Sequence, residues 1–163
     1  MLAGSIGFLL SKLGFLTSSR FTAALAPHGI NPGHFGLMRI IQVSGPNSQQ
    51  ALGEALGIPP SRMVALVDDL EEKGLVERRR HAKDRRVKVL HLTAKGQSVL
   101  SKASTAGETW QEELLANLDA DERVQLLHLL QRVAESHDLP VGAHPALTEI
   151  LPEQRTNVRG RSS

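Results

Sequence analysis

Between Gly74 and Gly96 the chain carries eight Lys or Arg (Arg78, Arg79, Arg80, Lys83, Arg85, Arg86, Lys88 and Lys95) against two acids, Glu77 and Asp84. The 163-residue chain as a whole has a net charge of +2, so this short segment is far more basic than its surroundings. Two β-prone runs, Val76 to Arg80 and Val87 to Leu92, flank a polar turn at Ala82-Lys83-Asp84. That pattern folds as a two-stranded hairpin. A ribbon so charged is expected to project. It suits a phosphate backbone, or equally a solvated edge that charge protects from aggregation.

What precedes the hairpin narrows the choice. Ser48 caps a short helix from Gln49 to Leu56, Gly57 closes it, and Pro59-Pro60-Ser61 opens another that runs to about Lys73. A short helix, a tight turn and a second helix have helix-turn-helix dimensions. In the second helix Met63, Val67 and Leu70 form an apolar row, with Leu66 beside them. The opposite side offers Ser61, Arg62, Val64, Ala65 and Asp68, small enough for close approach to base edges. The positive end of the helix, with Ser61 and Arg62, suits phosphate or guanine acceptors. The plainer reading of Arg62 is a solvated residue at a helix start. Asp68 and Asp69 are expected to pair with nearby Arg or to line the helix exterior.

The remaining segments are helical. Ile6, Leu9, Leu10, Leu13, Leu16, Phe21 and Leu25 recur at three- and four-residue spacings, and Phe8 and Phe15 widen the stripe to most of the circumference. A helix apolar nearly all round needs cover from several sides, which in a short chain implies a subunit interface. Pro27-His28-Gly29 stops it, and Asn31-Pro32 opens a helix through Phe35, Met38 and Ile41 that Gly45-Pro46 ends. Thr93 caps a helix reaching about Leu118, and Asp119 with Glu122 forms a capping box for the last one. The Pro- and Gly-containing residues after Leu139 read as a disordered tail. Lys12 and Arg20 interrupt the first apolar run, which argues against a signal peptide or membrane span.

The ordered motifs Leu70-Glu-Glu-Lys-Gly-Leu-Val-Glu-Arg78, Asp84-Arg85-Arg86 and Leu92-Thr93-Ala94-Lys95-Gly96 resemble the signature of the MarR family of transcription factors. With Gly29-Ile30-Asn31-Pro32 and Phe35 upstream, the resemblance covers roughly residues 6–137. It implies a mainly α fold with a small β-hairpin wing: a winged helix-turn-helix domain over 31–93 and a helical dimerisation region over 1–28 and 94–138. The function implied is a cytoplasmic homodimeric repressor of a pseudo-palindromic DNA operator, released by a small aromatic or phenolic effector. An activator, or a DNA-binding protein without an effector, is the alternative. DNA contacts are expected from Ser61, Arg62, Val64, Ala65, Arg78, Lys83, Arg85 and Arg86. Asp84 shapes the wing, leaving Arg85 or Arg86 for the minor groove. Val64 and Ala65 stand where many members have polar residues, which weakens direct base reading there. Gly53 lies inside the third helix, at a cost of about 1 kcal/mol unless it permits close packing.

In relatives the effector lies between dimerisation helices and winged domain. The corresponding wall here would be Phe15, Ser18 and Ser19 on the first helix and His34, Met38 and Arg39 on the second. Arg39 or His34 would pair with a carboxylate, and Phe15 and Met38 would sandwich a ring. Alternatively Phe15 and Met38 are core and Arg39 a surface cation. The absence of cysteine excludes disulfides, thiolate metal sites and a thiol redox switch in this chain. The seven histidines show no metal-ligand spacing, so neither metal nor cofactor is expected. A Gly-rich phosphate loop, a serine elbow and a paired-carboxylate cleft are missing from the sequence, so the chain is not expected to be an enzyme.

Overall fold

A computed structural model describes residues 4–81, 86–137 and 139. The wing-tip residues Lys83, Asp84 and Arg85, and the tail expected after Leu139, lie outside the described residues. Among the described residues, six α-helices and three strands run in the order α1 (Ile6–Leu25), α2 (Pro32–Ser44), β1 (Asn47–Ser48), α3 (Gln49–Leu56), α4 (Pro60–Glu72), β2 (Val76–Arg80), β3 (Lys88–Leu92), α5 (Ala94–Leu114) and α6 (Ala120–Glu135). A 3-10 turn, Ala26–His28, joins α1 to α2.

Side-chain caps set most of the helix starts. Ser5, Ser48, Thr93 and Asp119 each accept a backbone N–H three residues on, satisfying a donor that the first turn leaves orphaned. At α2 the cap is reciprocal: the Asn31 side chain takes the His34 N–H at 2.9 Å, and His34 Nδ1 takes the Asn31 N–H. α4 starts differently. Pro60 supplies its first helical residue and no side chain caps it. Gly57, at φ 63°, makes the left-handed turn between α3 and α4, which a Cβ would strain.

β2 and β3 pair antiparallel from Val76 opposite Leu92 to Arg80 opposite Lys88. The expected two-stranded hairpin is in fact the larger part of a three-stranded sheet in the order β1-β3-β2, because Asn47 and Ser48 pair with Leu90 and Val89. Two residues are too few to show a strand periodicity. The other difference is at α5, which ends at Leu114 rather than near Leu118, with turns filling the gap before Asp119.

The core lies under the sheet and between α2, α3, α4 and α5. Leu37, Met38, Met63, Val67, Leu70, Leu75, Leu90 and Leu100 are essentially inaccessible. Each such side chain contributes about 1.5–3 kcal/mol through removal from water. Gly96 locks α5 onto this core: a Cβ there would lie 2.0 Å from the Leu75 carbonyl oxygen. Around it the Thr93 hydroxyl donates to the Gly74 carbonyl at 2.7 Å, and Lys95 Nζ to that of Lys73 at 2.7 Å. The Leu-Thr-Ala-Lys-Gly run thus fastens the long helix to the turn between α4 and β2. Among the described residues, no helix is long and apolar enough to cross a membrane.

Candidate nucleic-acid interface and an adjoining cavity

The i, i+4, i+7 row of Met63, Val67 and Leu70, with Leu66, buries one side of α4. That leaves Ser61, Val64, Ala65 and Asp68 exposed on the other, while Arg62 is half-buried. The outer side of α4 therefore carries the residues read from sequence, and the structure adds that the helix start has no side-chain cap.

The basic hairpin divides into two kinds of cation. Arg79, Arg80, Arg86 and Lys88 are exposed. Arg78 is turned inward. Its Nη2 donates to Asp68 Oδ1 at 2.6 Å and to Gln49 Oε1 at 2.9 Å, its Nη1 pairs with Glu71, and its backbone N–H donates to Glu71 Oε1 at 2.8 Å. Partial burial works against the guanidinium, but the hydrogen bonds and attraction from Asp68 and Glu71 outweigh it and raise its pKa. Arg78, expected among the DNA-contacting residues, is tied by these bonds to α3 and α4, because β2 runs back beside Asp68 and Glu71. Asp68 accordingly pairs with an arginine, and Asp69 binds Lys73 Nζ at 2.7 Å and His34 Nε2 at 2.8 Å.

A cavity of about 560 Å³ opens where α1, α2 and α5 meet. Phe21, Phe35 and Trp110 give it aromatic walls, and Arg39 and Glu108 supply charge. Phe21 and Phe35 meet edge to face at 5.2 Å. Arg39 makes no ion pair with a described residue, which leaves its guanidinium available to a ligand. Of the six residues expected in such a wall, Ser18 and Arg39 line it. Met38 is fully buried in the core, and His34 is buried against α4, because both lie on the inner side of α2. Phe15 is 77% exposed and Ser19 is exposed, and neither lines the cavity.

The missing wall is α5. Ser104, Gly107, Glu108 and Gln111 follow i, i+3, i+4, i+7 spacing, with Trp110, the chain's single tryptophan, beside them. A stripe of small and polar residues around a lone indole was the signal available in the sequence.

Comparison with known proteins agrees with this architecture. Residues 28–87 match the family model described as MarR family. A regulatory protein assigned to the hcr operon of Thauera aromatica is 32% identical over 133 residues, covering 81% of this chain and 80% of that protein. The transcriptional repressor CouR bound to a 23-mer DNA duplex superposes with a TM-score of 0.69 at 30% identity, covering 82% of this chain and 94% of CouR. CouR from Rhodococcus jostii RHA1 bound to p-coumaroyl-CoA gives 0.67 at 28%, with the same coverage. With its helix-turn-helix, wing and long flanking helices in the family's order, the chain belongs to the MarR family of winged-helix transcriptional regulators and is not an enzyme.

Proposed function

We propose that this regulator is a cytoplasmic homodimeric repressor whose hold on a pseudo-palindromic operator is released by an aromatic carboxylic or phenolic effector. The cavity carries the reading. Aromatic walls and an arginine with no ion pair among the described residues stand where α2 of the winged domain meets α1 and α5, so a ligand there would touch both parts of the molecule at once. Its volume is within the roughly 300–1,000 Å³ of small-molecule sites. Phe21, Phe35 and Trp110 would enclose a ring and Arg39 would take a carboxylate as a charge-assisted pair. An aryl acid with its ring inside satisfies these groups; with its thioester, Arg39 would instead donate to a neutral carbonyl oxygen. CouR's complex with p-coumaroyl-CoA favours the same chemistry.

The dimer is inferred from apolar surface. α1 exposes Ile6, Leu9 and Leu13, and α6 exposes Val124, Leu127 and Val133. A second copy covering these faces would put two α4 helices about one DNA turn apart, roughly 34 Å. On each half-site α4 would enter the major groove through Ser61, Arg62, Val64 and Ala65. The wing would reach the minor groove through Arg85 or Arg86, with Asp84 shaping its tip and Lys83 on phosphate.

Selecting bound DNA from a random pool tests the dimer and its docking together: a palindrome with one-turn spacing is the expected product, and an unpaired half-site would refute it. Phenolic and aryl-carboxylic compounds are then titrated into the complex. Release by at least one supports the effector. If none changes affinity, the chain binds DNA without one.

A further inference from the structure

Among the described residues His34 is the single buried polar or charged side chain, at 4% exposed. It stands in the first turn of α2, and both ring nitrogens are engaged. Nδ1 accepts the Asn31 N–H, so the ring proton belongs on Nε2, which donates to Asp69 Oδ2 of α4 at 2.8 Å. Asp69 is held in turn by Lys73 Nζ. A leucine would fill the same space without needing partners. A buried polar group fully bonded on two sides contributes direction, which apolar contact does not.

The neighbours of His34 give that direction a use. Phe35, the next residue, lines the cavity against Phe21, and Arg39 lines it a little more than one turn on. The first turn of α2 therefore faces the cavity on one side and the recognition helix on the other. We propose that His34 is a positioning residue that couples the cavity to α4: a shift of α2 at Phe35 or Arg39 is transmitted through the His34–Asp69 bond. This inference rests on the cavity being the effector site. Asp69 and Lys73 from α4 are the charged groups acting on the imidazole. A second proton would have to enter on Nδ1, against the Asn31 N–H, so the neutral ring is the coupling form.

Two substitutions separate the two bonds. In His34→Asn the side-chain oxygen replaces Nδ1 and keeps the cap but cannot reach Asp69. In His34→Gln the amide nitrogen replaces Nε2 and keeps the link to α4. Trp110, the sole tryptophan and part of the cavity wall, reports on the cavity from the full-length protein. With a duplex selected by the wild type, saturating DNA should change Trp110 emission in the wild type and in His34→Gln. In His34→Asn, labelled DNA should still bind, but the emission change should fall about threefold or more. Asp69→Ala, at a half-exposed position, should behave like His34→Asn and serves if that variant does not fold. A full response in His34→Asn or Asp69→Ala, an equal loss in His34→Gln, or no response in the wild type would each overturn the coupling. Titrating 4-hydroxycinnamate and related aryl carboxylates without DNA tests the cavity separately. If none quenches Trp110, the effector reading fails, while the DNA-induced response still decides the coupling.

Discussion

The winged half of the chain and its long-helix end treat apolar residues in opposite ways. From α2 to β3, Leu37, Met38, Met63, Val67, Leu70 and Leu90 are almost wholly withdrawn from water. In α1 and α6, Ile6, Phe15, Val124 and Leu127 are 58–78% exposed, and α6 buries no residue. A row of large exposed apolar side chains on a helix marks an interaction surface. The winged half completes its own core; the long helices leave an apolar face that the proposed second copy would cover. In that dimer, reading DNA and spacing two readers would draw on separate physical resources.

The strongest way to break this contrast is to charge the exposed face. Leu127→Asp with Leu130→Asp should give a monomer by light scattering while the circular dichroism of the winged half persists. Operator affinity should then fall about 100-fold or more, because two linked half-sites become two independent ones. A dimer that survives the substitution would place the interface elsewhere.

Gly96→Ala attacks the self-contained half at its tightest backbone contact. With 2.0 Å to the Leu75 carbonyl, a methyl group must push α5 off the α4–β2 turn, and urea denaturation should show a loss of about 3 kcal/mol. The two kinds of cation in the hairpin give smaller and separable effects. Arg78→Ala should cost about 1 kcal/mol of stability, discounted for partial solvent screening, and leave the salt slope of DNA binding unchanged. Arg86→Ala should do the reverse, weakening binding by about 1 kcal/mol and shallowing the slope by about one unit.

Burial, opposed by Asp69 and aided by Lys73, holds the His34 imidazole below its ordinary pKa. The unfolded chain therefore binds more protons than the folded one just below about pH 6.5. Stability should be full above that value and decline as pH falls, and urea midpoints in wild type should drop between neutral and mildly acidic buffer more than in His34→Gln. The smallest effect is expected at Gly53. A Cβ there would meet the Ile58 carbonyl at 3.5 Å, an ordinary contact, so Gly53→Ala should stabilise α3 by about 0.5 kcal/mol.

The elements legible in the sequence were those with local punctuation. Ser48, Gly57, Pro60, Thr93 and the Asp119–Glu122 box fix helix ends through bonds within a few residues, and those ends recur in the structure. What escaped depends on contacts distant in the chain. Arg78 meets Gln49 across 29 positions, β1 finds β3 across more than 40, and α5 completes a cavity whose other walls lie on α1 and α2. Net charge located the basic hairpin but could not distinguish a cation facing outward from one neutralised by its own fold.

The short strand β1 has a consequence for how this protein would choose its DNA. Ser48 both caps α3 and pairs with Val89 at the inner edge of the wing. Because α3 and β2 both pack on α4, α4 and the wing would act as the two jaws of a caliper with little slack between them. DNA whose grooves do not match that gauge must deform to fit, and the deformation energy varies with base sequence even where no side chain reaches. Part of the operator's identity would therefore be written in stiffness and groove width, at base pairs the protein never touches.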